Sequence, residues 1–261
     1  MVHAGSDRVT TGVCSVTFRS LGPAAIIHLA AGAGLGGIEW GGDVHVPSGD
    51  TARAAAVARE TADAGLRVLS YGSYWRAEDD EFSAVLATAV ALGAPRIRVW
   101  AGRTGSAEAS DRERDAVVAR LRAAAELAAS DGVELGLEFH GGSLTDTVGS
   151  TARLVDEVGH PTLRSYWQPP LSVPDADALA GLDELASIVS TVHVFSWWPG
   201  TERRPLSERA GLWTAVVRRL IATGTSHDLL LEFVPDDNPK LLAGEAQTLR
   251  KLISTAREDI T

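Results

Sequence analysis

The segment Val133-Glu134-Leu135-Gly136-Leu137-Glu138-Phe139-His140-Gly141-Gly142 carries the clearest chemistry in the 261-residue chain. An apolar run ends in a carboxylate, skips one residue, and presents an imidazole before a glycine pair. Short, apolar and closed by a turn signal, it reads as a buried strand. Side chains alternate along a strand, so Glu138 and His140 share a face and Phe139 opposes them. A carboxylate and an imidazole so placed can bind a metal or move a proton. Three later runs end in comparable chemistry: Tyr166-Trp167-Gln168, Val192-His193-Val194 and Leu231-Glu232-Phe233.

These groups need a scaffold that gathers strand ends. The sequence alternates strand-like and helix-like segments throughout. Strands are expected over 13–18, 37–40, 67–71, 96–100, 133–139, 163–168, 188–195 and 228–233. Helices are expected between them and after the last. Asp50 reads as an N-cap for the Ala-rich segment 51–64, and Gly65 ends it. Pro23 stands at a helix start, where proline is tolerated. Eight strand-helix pairs imply right-handed crossovers and a parallel sheet. At this length the expectation is an α/β protein, a single-domain (β/α)8 barrel over residues 13–261, behind a flexible tail at 1–12. A doubly wound open sheet is the alternative. Neither GxGxxG nor GxxxxGK[ST] stands at a strand-helix junction.

Composition narrows the function. Hydrophobic residues make up 45%, enough for a large core. The net charge of −10 argues against a nucleic-acid surface. No apolar run approaches a membrane span, and Met1 to Gly12 lacks a signal-peptide core, so a soluble cytoplasmic protein is expected. The single Cys14 cannot form an internal disulfide and reads as core.

In a parallel barrel the C-terminal strand ends meet at one mouth. Trp40, Trp75, Trp100, Trp167, Trp197 and Trp198 all fall at or just after strand ends, as a rim suited to a sugar-like ligand. The polar set expected there is Glu39, His45, Glu138, His140, Gln168, His193, Arg203, Arg204 and Glu232. Of these, Glu39, His45 and the arginine pair are read as substrate contacts, with Trp40, Trp75, Trp100, Trp167 and Trp197. Two buried carboxylates side by side would repel unless a cation lies between them. Oxygen-rich ligation with one imidazole suits Mn, Mg or Co, with Zn possible. The alternative is a proton-sharing glutamate pair with structural hydrogen bonds.

On these residues the chain resembles the xylose-isomerase-like TIM-barrel superfamily of sugar isomerases and epimerases. The likeness runs along the whole chain by element order. Glu39-Trp-Gly-Gly-Asp-Val-His-Val46 resembles the second-strand segment of members described as sugar phosphate isomerases or epimerases. The resemblance implies one divalent metal held by Glu138, His193 and Glu232. Gln168, in Tyr-Trp-Gln-Pro-Pro, stands where the family carries Asp; its amide oxygen can ligate but brings no charge. The implied reaction is an isomerisation or epimerisation of a small sugar, in which Glu138 and Glu232 ligate the metal and transfer protons α to a carbonyl. His140 would assist as a general base. The superfamily also holds dehydratases and lyases that use the same α-proton removal and then expel a group. A metal-free sugar-binding protein is the third reading, motivated by Gln168. Endonuclease-like members need more histidines and a basic groove than this chain offers. A homodimer through the helical exterior stays open.

Overall fold

The computed structural model describes residues 9–258. Eight parallel strands close into a barrel: β1 (Val9–Cys14), β2 (Gly37–Gly41), β3 (Arg67–Gly72), β4 (Arg96–Val99), β5 (Glu134–Leu137), β6 (Leu163–Trp167), β7 (Val189–Val194) and β8 (His227–Leu231). Each pairs with its sequence neighbours, and β1 closes on β8. The helices are α1 (Pro23–Gly32), α2 (Thr51–Asp63), α3 (Phe82–Leu92), α4 (Asp111–Ser130), α5 (Val148–Val158), α6 (Asp175–Leu185), α7 (Ala210–Ala222) and α8 (Leu242–Glu258). A short antiparallel ribbon, Ser196–Trp197 with Arg203–Arg204, follows β7. No helix among the described residues is long and apolar enough to cross a membrane.

Local chemistry sets the helix ends. Asp50 caps α2 by accepting from the Arg53 N–H at 3.0 Å. Ser110 and Glu113 form a reciprocal capping box at α4. Gly93 and Gly159 close α3 and α5 in the left-handed region, which costs glycine nothing.

The first strand begins at Val9, four residues before its expected start, inside the segment expected to be a tail. Residues 1–8 lie outside the described residues. Segment 15–18 forms a 3-10 turn instead of strand. The segment expected to be a tail ends at Gly12, which lies inside the strand. In the barrel it is a packing requirement: a Cβ there would stand 2.5 Å from Leu69 Cδ1 and 2.8 Å from the Gly37 carbonyl oxygen. Five residues of β1, Val9 to Val13, pair in register with His227 to Leu231.

Two packing zones result. The larger apolar core lies between strands and helices and includes Trp40, Trp167 and Trp213. A small apolar plug of Cys14, Val16, Leu69 and Leu230 sits inside the barrel. Above the plug the interior turns polar. Register shifts occur at Ile38/Glu39 in β2 and at Ser165/Tyr166 in β6. Such bulges re-aim side chains. These two bring Glu39 and Tyr166 together across the barrel, where the Tyr166 hydroxyl donates to Glu39 Oε2 at 3.0 Å.

Candidate active site

The C-terminal mouth opens into a cavity of about 640 Å³. Glu138, Gln168 and Glu232 stand at its floor and wall. His193 and Glu39 lie just beneath, at 0% and 1% exposure. Trp100, Phe139, Trp197 and Phe233 supply aromatic walls, and Arg19 and Tyr74 stand on the side near β1 and β3.

Arg98 is the central cation. It is 2% exposed, on β4. Its Nη1 donates to Glu138 Oε2, and its Nε lies 3.1 Å from Glu39 Oε1, close enough for an ion pair but without hydrogen-bond alignment. Gly72 leaves room for this pair: a Cβ there would stand 2.8 Å from Arg98 Nη2 and 2.9 Å from Glu39 Oε1. Burial alone would raise the pKa of Glu39. Arg98 outweighs it, helped by His193 and by the Ser70 hydroxyl donating at 2.7 Å, and the carboxyl is lowered to about 2. Burial opposes the Arg98 charge, yet Glu138 and Glu39 hold its pKa above the ordinary value.

His193 Nδ1 lies 3.1 Å from Gln168 Oε1 and 3.3 Å from Glu232 Oε2. Burial disfavours the imidazolium, but Glu232 and Glu39 outweigh it and its pKa is raised. Glu232 is raised chiefly by burial, against the attraction of His193. Counted formally, Glu39, Glu138 and Glu232 bring three negative charges and Arg98 one positive, which leaves the buried cluster short of two. A divalent cation supplies two. Ligand atoms about 2.1 Å from a common ion and at right angles are about 3 Å apart, the spacing found around His193 Nδ1. The residues therefore fit a divalent cation, with Gln168, His193 and Glu232 as donors. Glu138, expected among the ligands, is engaged by Arg98.

His140 is half-buried on the cavity wall, its ring 4.2 Å from that of Trp100 between centroids. Arg76 also packs on Trp100, its guanidinium carbon 3.9 Å from the ring centre. His140 Nδ1 is 2.7 Å from the Gly141 carbonyl oxygen. A carbonyl only accepts, so Nδ1 carries the hydrogen and Nε2 keeps the free lone pair.

Several residues expected at the mouth lie elsewhere. Glu39 faces the barrel interior, so by alternation Trp40 points outward, where its Nε1 donates to Thr61 of α2 at 3.2 Å. Trp167 likewise packs edge-on against Trp213 of α7. Trp75 packs on Phe82 and donates to Asp79 Oδ1 at 2.8 Å. His45 is buried between Ser15 Oγ (3.0 Å) and the Leu21 carbonyl (3.1 Å), where it pins loops rather than facing the cavity. Arg203 lies over Trp197 and Phe233, ion-paired with Asp237. Arg204 is exposed on the ribbon, 3.9 Å from Glu208. Trp100 and Trp197 do line the cavity.

Sequence reasoning passed over Arg98, Tyr166 and Ser70. A signal existed for the first: Arg96 and Arg98 alternate with Ile97 and Val99, and helices cover the outside of a barrel strand, so the polar face must turn inward.

The chain matches the family described as "Xylose isomerase-like TIM barrel" over residues 27–252. It is 45% identical over 69 residues to a 3-dehydroshikimate dehydratase of Bacillus anthracis; that stretch spans 26% of this chain and 25% of the relative. Among solved structures, a probable 3-DHS dehydratase from Bacillus anthracis superposes with a TM-score of 0.78 at 24% identity, covering 92% of this chain and 98% of the other. An L-ribulose 3-epimerase superposes with a TM-score of 0.74 at 18% identity, covering 97% of each. With the closed barrel and the polar cluster at its mouth, the match over most of its length means that the chain belongs to the xylose isomerase-like TIM barrel family.

Proposed function

We propose that this protein is a divalent-metal-dependent lyase that removes a proton α to a carbonyl from a small hydroxylated keto acid and expels the β-hydroxyl as water. The observation that carries the reading is the division of labour between Glu138 and His140. Epimerisation by a two-carboxylate relay asks Glu138 to gain and lose a proton while accepting from Arg98. His140 offers a free Nε2 on the same cavity with no such competitor.

Gln168, His193 and Glu232 would hold the metal, which when bound polarises the substrate carbonyl as a Lewis acid. His140 Nε2 takes the α-proton. The electron pair of that C–H bond forms a C=C as the β C–O bond breaks, and the proton leaves His140 with the hydroxyl as water. The Gly141 carbonyl and the Trp100 ring hold the imidazole in one tautomer and orientation through this transfer. Arg19, on the cavity wall with its side chain 44% exposed, already pairs with Asp43 at 2.9 Å and donates to the Tyr74 hydroxyl at 2.8 Å; a substrate carboxylate would take the hydrogens its two terminal nitrogens leave free. Apolar walls keep water from the reacting carbons. The local sequence likeness to a 3-dehydroshikimate dehydratase supports the same reaction class.

The test is turnover of 3-dehydroshikimate and related hydroxylated keto acids by metal-loaded protein, with His140→Asn beside it. Water loss that falls at least about 100-fold in the variant fits the reading. Undiminished turnover in His140→Asn contradicts it.

A further inference from the structure

We propose that Glu39 is a positioning residue for His193: its carboxylate takes the hydrogen on Nε2 and so holds the imidazole in the tautomer that turns the Nδ1 lone pair toward the cation. The inference rests on the reading that Gln168, His193 and Glu232 hold a divalent ion.

The two sides of the buried ring differ. Beside Nδ1 stand two acceptors, Gln168 Oε1 at 3.1 Å and Glu232 Oε2 at 3.3 Å. Both draw the ring hydrogen onto Nδ1, where it would block ligation. Nε2 is wholly buried and has no hydrogen-bond partner; Glu39 Oε1 faces it at 3.7 Å. That is ion-pair reach, longer than a hydrogen bond. A neutral imidazole with its lone pair on Nδ1 must carry its hydrogen on Nε2, and a buried N–H needs an acceptor. Glu39 is the anion placed to supply one. It is 1% exposed and lies beneath the cavity walls, out of reach of a substrate.

The carboxylate is itself held from three strands. Ser70 of β3 donates to Oε2 at 2.7 Å and Tyr166 of β6 donates to the same oxygen at 3.0 Å. Arg98 Nε of β4 lies 3.1 Å from Oε1. Oε2 is therefore occupied by hydroxyls, and Oε1 is left to Arg98 and His193. The Tyr166 ring also stands edge-on to the imidazole, with centroids 5.2 Å apart and planes at 81°. One tyrosine thus braces both the carboxylate and the ring it orients. Carboxylates that hold a ligating histidine in this way typically contribute about 10–100-fold to metal affinity.

The experiment is nitrogen-15 NMR of histidine-labelled, Zn²⁺-loaded protein, with Zn²⁺ affinity measured by chelator competition. The expected result is His193 with Nδ1 on the metal and an Nε2 proton protected from solvent exchange. In Glu39→Ala and Glu39→Gln that protection should be lost and Zn²⁺ affinity should fall about 10–100-fold. Tyr166→Phe, which keeps the carboxylate and removes one of its donors, should give a smaller fall. Zn²⁺ bound through Nε2 with Nδ1 protonated, or an Nε2 proton equally protected in both Glu39 variants, overturns the role of Glu39 and leaves the metal site standing. No Zn²⁺ uptake at all overturns both. The tautomer is read in the unaltered chain, so the assignment stays falsifiable even if the variants misfold.

Discussion

Arg98 on β4 and Glu138 just beyond β5 form a buried hydrogen-bonded ion pair, because Arg98 stands in register with Gly136 and Glu138 is the next side chain on the same face. Gly136 makes room for a different neighbour: a Cβ there would stand 2.3 Å from Tyr166 Cε1. The pair fixes one family-type carboxylate against the barrel wall; in the proposed reading the side around His193 takes the cation and the wall at His140 the proton transfer.

Removing Arg98 should expose how much this pair carries. Arg98→Met leaves Glu39 and Glu138 buried beside each other without their partner, a change expected to cost about 3–5 kcal/mol. Urea unfolding of metal-free protein measures it. Adding Glu39→Gln to Arg98→Met should recover part of the loss, since the second change removes one stranded charge.

Gly72 should not tolerate a side chain. A Cβ would stand 2.8 Å from Arg98 Nη2 and 2.9 Å from Glu39 Oε1, so Gly72→Ala must displace the pair. Overpacking of this kind is expected to cost about 1–3 kcal/mol and to lower metal affinity as Glu39 moves against His193. Thermal unfolding with and without added Zn²⁺ reads both effects.

The acid limb of stability has a named source. Glu39 is held at about 2, below its ordinary 4.5, so its contribution is present above about pH 4.5 and is lost as pH falls toward 2. A Glu39→Gln variant should lose stability at neutral pH and show a shallower decline between those two values. Chemical unfolding at stepped pH in metal-free buffer checks this.

Metal uptake should release protons. His193 is raised because Glu232 and Glu39 outweigh its burial, and Glu232 is raised chiefly by burial. Both contributions are present at low pH and fade as pH rises through the folded values, so metal-free protein weakens on that side and bound metal restores it. Affinity should therefore increase with pH. Calorimetric titration in two buffers of different ionisation enthalpy counts the protons; none released would contradict the ligand set.

That Glu138, His193 and Glu232 gather at or just beneath the mouth was legible because each interrupts an apolar run, where an unpaired charge is too costly to be accidental. The element order was legible for the same reason, through alternation and helix punctuation. What escaped depended on tertiary detail. Gly12 is a strand residue because Leu69 and Gly37 crowd it, which no local pattern reveals. Trp40 and Trp167 stand at strand ends as expected, but their inward neighbours Glu39 and Tyr166 send them outward to α2 and α7. Bulges at Ile38/Glu39 and Ser165/Tyr166 set the cross-barrel contact and leave no mark in the sequence. His45 is claimed by Ser15 and Leu21 from another loop.

The measurement that bears most directly on the central claim is proton NMR of a hydroxylated keto acid, 3-dehydroshikimate first, incubated with metal-loaded protein in deuterated water. The account predicts a dehydrated product and recovered substrate without deuterium at the carbon α to the carbonyl, since the proton taken by His140 departs with the hydroxyl. Recovered substrate that carries deuterium there, with inverted configuration and no dehydrated product, would contradict elimination and assign the protein to epimerisation through Glu138 and Glu232.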